Sequence, residues 1–206
     1  PTWTLPQMLW LKHNEPENFS RIRHVSFVKD YIRYLLTGEL SCDCIESQGT
    51  LFWDMKNSRW SEELCGLADI PVKALPRIGK TTDMAGKVTV KAASETRLPK
   101  GIPVIMGTSD SAVEDYASGA IKPGQCILKL ATAGNVNVMT SKAHPHPETL
   151  TYSHVVPGLW YTVTATNAAA ICQRWFRDNC CAEGTNYEEL NELAAKSPPG
   201  SNGVFF

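Results

Sequence analysis

The sequence predicts an α/β fold in two parts that divide near residues 119–124, and three observations carry that expectation. The first third shows helical apolar spacing. A β-branched run at 102–106 leads through a polar turn into a helical segment. From Lys122-Pro123-Gly124 onward, short strand signals alternate with turns before two more helices. The 206 residues are 43% hydrophobic and 20% charged, enough length and apolar content for one large or two small packed domains.

Met8, Leu9, Trp10 and Leu11, with Pro6 near their start, form a first helical stretch, and Glu15-Pro16-Glu17 breaks it and opens another helix. In 25–36, Val28, Tyr31, Ile32, Leu35 and Leu36 fall on one helical face, which predicts a core-facing stripe closed by Gly38. Ser61-Glu62-Glu63-Leu64 begins a shorter helix that Pro71 stops. Residues 78–90 read as a loop and a short strand, 92–96 as one or two helical turns, and 102–106 as a buried strand. Gly107-Thr108-Ser109-Asp110-Ser111 then turns into a helix at 112–117. Strand candidates follow at 126–131, 136–140, 151–156 and 159–164, then helices at 168–178 and 187–196. Trp10, Trp53, Trp60, Trp160 and Trp175 sit in apolar or amphipathic stretches and are expected in the core, whereas Trp3 precedes the first helix in a polar context.

Charge and cysteine usage narrow the function classes. Lys and Arg number 20 against 21 Asp and Glu, a formal charge of −1, which removes the electrostatic case for nucleic acid or an anionic membrane as principal partner. No apolar run approaches the roughly 18–20 residues that cross a bilayer, and Lys12, His13 and Glu15 interrupt the first apolar stretch, so a signal peptide is not expected. Seven irregularly spaced cysteines are read as reduced thiols of a cytoplasmic protein. The chain opens on Pro1 and closes on Gly203-Val204-Phe205-Phe206, which reads as a piece of a longer protein; a final strand tucked into the sheet is the alternative.

Asp110 is the most informative carboxylate. After a strand and before a helix it meets backbone N–H groups and could accept a proton from a substrate hydroxyl. The competing reading, favoured on local sequence alone, makes it or Ser111 a helix cap, with Ser111 and Glu114 as a capping box. Ala131-Thr132-Ala133-Gly134 is a small-residue turn whose amides and Thr hydroxyl could approach phosphate, though it lacks the Lys of a P-loop. His144, His146 and His154 with Cys126 or Cys172 lack a metal-ligand spacing, and a structural or exposed role fits them better.

Several phrases together resemble the FGGY family of carbohydrate kinases, closest to its xylulokinase branch. They are Pro6-Gln7-Met8-Leu9-Trp10-Leu11-Lys12 with Glu15-Pro16; Lys29-Asp30-Tyr31-Ile32-Arg33 with Leu36-Thr37-Gly38-Glu39; Gln48-Gly49-Thr50-Leu51 with Trp53-Asp54 and Trp60-Ser61; His154, Val155, Pro157 and Trp160; and Arg174-Trp175-Phe176-Arg177-Asp178. The resemblance implies a ribonuclease-H-like, actin-like ATPase fold of two domains, present here in part. Residues 1–120 would end the first, sugar-binding domain and 121–206 would begin the second, nucleotide-binding one. It implies ATP and Mg2+ as cofactors, a small-molecule sugar as partner, and room for a homodimer. Asp110 stands where the family's Gly-Gly-Gly-Asp-Asn run carries its catalytic base, although the neighbours Thr108, Ser109 and Ser111 differ. Ser111 and Trp3 would touch the sugar, and Thr2 is a second candidate for the pocket edge. Ala131, Thr132, Ala133 and Gly134 stand at the family's Leu-Gly-Thr-Ser-Gly phosphate turn, and Ala170 near a phosphate-contacting Gly. A side chain at Ala131 would conflict with a left-handed turn, and Ala133 lacks the Ser hydroxyl. The family's Asp-x-Gly-Thr hairpin and its adenosine-holding Gly-Gly-Gly segment do not occur in the chain.

The reading is ATP-dependent phosphorylation of a sugar hydroxyl, a ketopentose such as xylulose, with Asp110 as general base, by a piece that is inactive alone. The alternatives are a non-catalytic sugar- or partner-binding relative with a degenerate phosphate site, and a scaffold in which Asp110 only caps a helix.

Overall fold

Proline, glycine and capping residues set the helix ends of the first third much as the sequence places them. The computed structural model describes residues 3–204. α1 covers Thr4–Asn14, α2 covers Pro16–Ser20 with Pro16 in its first turn, and α3 covers Val28–Thr37, closed by Gly38. β1 (Ser41–Asp43) follows. The two-residue strands β2 (Trp53–Asp54) and β3 (Arg59–Trp60) pair antiparallel and set two indoles edge to face at 5.3 Å. α4 (Glu62–Leu67) starts on the Ser61 hydroxyl, which accepts the Leu64 N–H. β4 (Arg77–Gly79) lies parallel to β1. β5 (Met84–Lys87) pairs antiparallel with β6 (Pro103–Ile105), with α5 (Val90–Thr96) between them in the chain. α6 (Asp110–Ala117) completes this stretch.

Two compact units result. The first runs through Gly119 and takes in Tyr152–Gly158; the second comprises Ala120–Thr151 and the chain from Leu159 onward. In the first unit Phe52, Cys65, Ala68, Ile70, Ala74 and Leu75 are buried together, and α1 contributes Leu5 and Met8 to their cover. A fully buried phenylalanine is worth about 1.5–3 kcal/mol, so Phe52, 0% exposed, is a principal anchor of this cluster. The segment Tyr152–Gly158 lies in the sequence range expected to belong to the second part, yet it packs with the first unit. Gln48 supplies a reason: its amide nitrogen donates to Ser153 Oγ and its carbonyl accepts the Ser153 N–H, both at 2.9 Å.

The second unit is built on antiparallel pairing. β7 (Cys126–Leu130) and β10 (Trp160–Thr166) flank β8 (Gly134–Thr140), with Leu130 opposite Gly134 and Thr166 opposite the same glycine. β9 (Leu150–Ser153) follows β10 in the strand order of this sheet, and Leu150 and Thr151 are the part of it that belongs to the second unit. α7 (Ala170–Cys180) and α8 (Tyr187–Ala195) follow, and α8 opens on a capping box between Asn186 and Glu189.

Several expectations are overturned. α3 is inverted: its apolar stripe faces outward, with Val28 82% and Tyr31 and Ile32 each 53% exposed, while Asp30, Arg33 and Thr37 are buried. Charged groups can take the inner face because they neutralise one another there. The run 102–106 is not a buried strand; Ile105 is 57% exposed and only Met106 is enclosed, since β6 has β5 as its one partner among the described residues. Trp10 and Trp175 are half exposed rather than core. Val204 is in no strand, and Phe205 and Phe206 lie outside the described residues. Among the described residues no helix is long and apolar enough to cross a membrane.

Candidate functional site

Asp110 is placed by a turn whose successive residues are tied down. After β6, the Met106 N–H donates to the Asp83 carbonyl and the Gly107 N–H to the Thr81 carbonyl, each at 2.9 Å. Gly107 has φ +70°, a left-handed conformation that glycine adopts at no steric cost and that reverses the chain toward α6. The Met106 carbonyl accepts from the Arg33 guanidinium, which also reaches the Ser41 carbonyl. Thr108 Oγ1 donates to Asp43 Oδ1 at 3.0 Å.

These ties lead back to a buried ionic cluster. Lys29 Nζ lies 2.6 Å from Asp30 Oδ1 and 2.7 Å from Asp43 Oδ2, and Arg33 pairs with Asp30 at 2.8 Å. Asp30 and Asp43 are fully buried. Asp43 Oδ1 also accepts the N–H groups of Ile45 and Glu46 at 3.0 Å each. Burial alone would pull the Lys29 ammonium down, but Asp43 and Asp30 outweigh it and hold the group above its ordinary value. Burial pushes the Cys42 thiol far up, reinforced by Asp30 and Asp43. Asp30, Cys42 and Asp43 hold donor atoms within 4.8 Å of one another. Lys29 already bridges the two carboxylates and Cys42 is held as the thiol, so the donor set does not suit a cation.

Asp110 is the first residue of α6, where N–H groups and the helix dipole favour negative charge, and its side chain is exposed. The helix cap falls one residue earlier, at Ser109, and is made without a side-chain hydrogen bond, which overturns the reading of Asp110 as the N-cap. Ser111 is the second helical residue, so the expected capping box from Ser111 does not form at the helix start; its N–H donates to Asp110 Oδ1 at 2.6 Å.

A cleft of about 400 Å³ in the first unit is lined by Trp3, Thr4, Gln7, Glu46, Gly49 and Thr50, among others, without Asp110 in its wall. Trp3 is half-buried and stands 6.4 Å from the Tyr152 ring. Glu46 links the cleft to the cluster: burial pushes its carboxyl up, Lys29 at 3.9 Å opposes, and the charges of Asp43, Asp30 and Asp110 add to the rise. Thr2 lies outside the described residues. His154 is buried near the Tyr116 ring, and burial pushes its imidazole below the ordinary value against the pull of Asp115.

In the second unit, Ala131-Thr132-Ala133 joins β7 to β8 as an exposed turn. The amides of Ala169 and Ala170 donate to the carbonyls of Thr132 and Ala131 at 2.8 and 2.9 Å, so the start of α7 is fastened to the turn. A Cβ at Gly134 would meet the Ala169 side chain at 2.9 Å, and glycine is what lets the two segments approach. Neither Ala131 nor Ala133 has a positive φ, so the conflict expected for a side chain at Ala131 does not arise. The carbonyls of Ala131 and Thr132 are thus engaged by the start of α7, while Ala131, Thr132 and Ala133 are themselves exposed.

Sequence reasoning missed Lys29, Arg33, Asp43, Glu46 and Thr108 as parts of this site. Three charged residues, Lys29, Asp30 and Arg33, within a helix whose other side chains are mostly apolar were the available signal.

Residues 1–114 match the model of the N-terminal domain of the FGGY family of carbohydrate kinases. The xylulose kinase of Lactococcus lactis is 31% identical over 205 residues, 99% of this chain and 41% of that protein. An autoinducer-2 kinase of Salmonella paratyphi A is 29% identical over 211 residues, 97% of this chain and 40% of that protein. Among solved structures, the xylulose kinase from Rhodospirillum rubrum matches with a TM-score of 0.91 at 32% identity, covering 98% of this chain and 42% of its own. The chain therefore spans about two fifths of the length of these relatives.

Proposed function

Because the chain belongs to the FGGY family of carbohydrate kinases and is xylulokinase-like, we propose that the protein carrying it transfers the γ-phosphoryl group of ATP to a hydroxyl of a ketopentose such as xylulose. The observation that carries the reading is Asp110, an exposed carboxylate at the start of α6 on an anchored turn. As the sugar oxygen bonds to the γ-phosphorus and the bond to the β–γ bridging oxygen breaks, an Asp110 carboxylate oxygen takes the hydroxyl proton and ADP departs. In phosphoryl transfer most of the rate comes from positioning and electrostatics, so a base held by its backbone is worth more than a mobile one.

In this reading residues 1–120 belong to the sugar-binding domain and 121–206 open the nucleotide-binding domain. Ser111 and Trp3 border the sugar. The turn Ala131-Thr132-Ala133-Gly134, backed by Ala170, receives the phosphates through the Thr132 hydroxyl and main-chain amides. Mg2+ arrives with ATP as part of the nucleotide substrate and neutralises phosphate charge; the turn itself has no carboxylate to bind it.

The test is ATP consumption by the purified full-length protein, measured by a coupled assay over pentuloses, hexuloses and autoinducer-2. The expected result is turnover that depends on a ketopentose. Sugar-independent background across the panel, together with no ATP–Mg binding by calorimetry, contradicts the proposal. That outcome favours the sugar- or partner-binding relative, a reading supported by Ala133, which lacks the Ser hydroxyl of the motif it resembles.

A further inference from the structure

We infer that Thr108 and Asp43 form a clamp that orients Asp110, with Thr108 acting as a positioning residue for phosphoryl transfer through its hydroxyl. The inference rests on the reading of Asp110 as the base and deepens it. The polypeptide between β6 and α6 needs such a device. Its last main-chain anchor is the Gly107 N–H on the Thr81 carbonyl, and the first bond of α6 runs from the Val113 N–H to the Ser109 carbonyl at 3.2 Å. Between them lie Gly107, a left-handed residue without a side chain, and Ser109, a helix cap that makes no side-chain hydrogen bond. Among the described residues, the side-chain hydrogen bond on that span, apart from Asp110's own, is Thr108 Oγ1 to Asp43 Oδ1, at 3.0 Å. Without it, rotation about the Gly107–Thr108 backbone would swing the Asp110 carboxylate, whose own hydrogen bond is a local one from the N–H of its neighbour Ser111.

The acceptor is as rigid as this chain can make one. Asp43 is fully buried on β1, and its two oxygens take the amides of Ile45 and Glu46 and the Lys29 ammonium as well as Thr108. Lys29 and Arg33 are fixed in turn by Asp30. A buried ionic group of this kind is weak evidence for stability, since apolar packing of the same volume often does as well or better. An apolar cluster, however, could not accept a hydroxyl proton 65 positions along the chain and hold the turn in register. Thr108 is also where the run departs from the glycines of the motif it resembles, so the clamp is a property of this chain's own residues.

The test compares Thr108→Val, which keeps shape and removes the donor, with Thr108→Ser, which restores the hydroxyl, in the full-length protein alongside Asp110→Asn. Displacing a reacting group by about an ångström costs up to ~100-fold, and the expected loss in Thr108→Val is about tenfold or more in kcat. The KM for the sugar should stay within about twofold, the melting temperature should stay close to the parent's, and hydrogen exchange should quicken in the peptide spanning residues 107–113. Thr108→Ser should recover most of kcat and the slower exchange. A kcat for Thr108→Val within twofold of the parent, or a loss that Thr108→Ser does not recover, overturns the clamp. If Asp110→Asn leaves turnover intact, it is the assignment of the base that fails, whatever Thr108 does.

Discussion

Replacing Lys29 by methionine removes the cation that bridges two buried carboxylates, and the structure sets the size of the effect. The ammonium is 2.6 Å from Asp30 and 2.7 Å from Asp43. At an effective dielectric near 20 each contact is worth about 6 kcal/mol of Coulomb attraction, most of which offsets the cost of taking the charges out of water. Asp30 keeps Arg33 as a partner, but Asp43 would keep only neutral donors, with Glu46 close by. Breaking a buried pair by removing one partner typically costs about 3–5 kcal/mol, and that is the loss expected for Lys29→Met in urea denaturation at pH 7. In the double variant Lys29→Met, Asp43→Asn the unpaired charge is gone, so it should be less destabilised than the sum of the two single changes. A loss below about 1 kcal/mol, or strict additivity, would show that water reaches the cluster and would refute the reasoning.

Other consequences follow from single contacts. Gly134→Ala places a Cβ 2.9 Å from the Ala169 side chain and should destabilise the second unit by about 1–3 kcal/mol in thermal or urea unfolding. The folded-state pKa of Glu46 is raised, so the folded protein binds its proton more tightly and stability falls as pH rises from about 4.5 through that value. Glu46→Gln removes the penalty and should be the more stable protein at pH 7, the difference shrinking towards pH 4, as denaturation at a series of pH values would register. Among the thiols, the exposed Cys126 and Cys180 should react with a disulfide reagent first, whereas Cys42, buried and held protonated, should react only on unfolding.

What the sequence shows of this molecule depends on how far each cause reaches along the chain. The existence of α3 and its end at Gly38 were legible because apolar spacing and a terminal glycine are local signals, whereas its start fell at Val28 rather than residue 25. Its orientation was not, because periodicity reveals a stripe without saying what lies against it. Nothing near Lys29, Asp30 and Arg33 in the chain marks them as inward-facing, because the second carboxylate, Asp43, stands 14 residues on from Lys29. The strand–turn–helix around Asp110 was visible at once, yet the cap fell on Ser109, a shift of one residue that turns Asp110 from a cap into an exposed group. The link from Thr108 to Asp43 spans 65 residues and left no local trace. Gly134 was noted as a turn residue, but its physical reason, the close approach of Ala169, belongs to tertiary structure. The resemblance of the run 107–111 to a kinase motif supplied what periodicity could not, the candidacy of Asp110 as a base.

That candidacy is tested most directly by Asp110→Asn in the full-length protein, with sugar-dependent ATP turnover measured beside ATP–Mg binding by calorimetry. The exchange removes a proton acceptor at nearly constant shape, and a general base contributes about 10²–10⁴-fold. The account expects turnover to fall by that order while nucleotide affinity holds. Turnover at the parent's rate would contradict it.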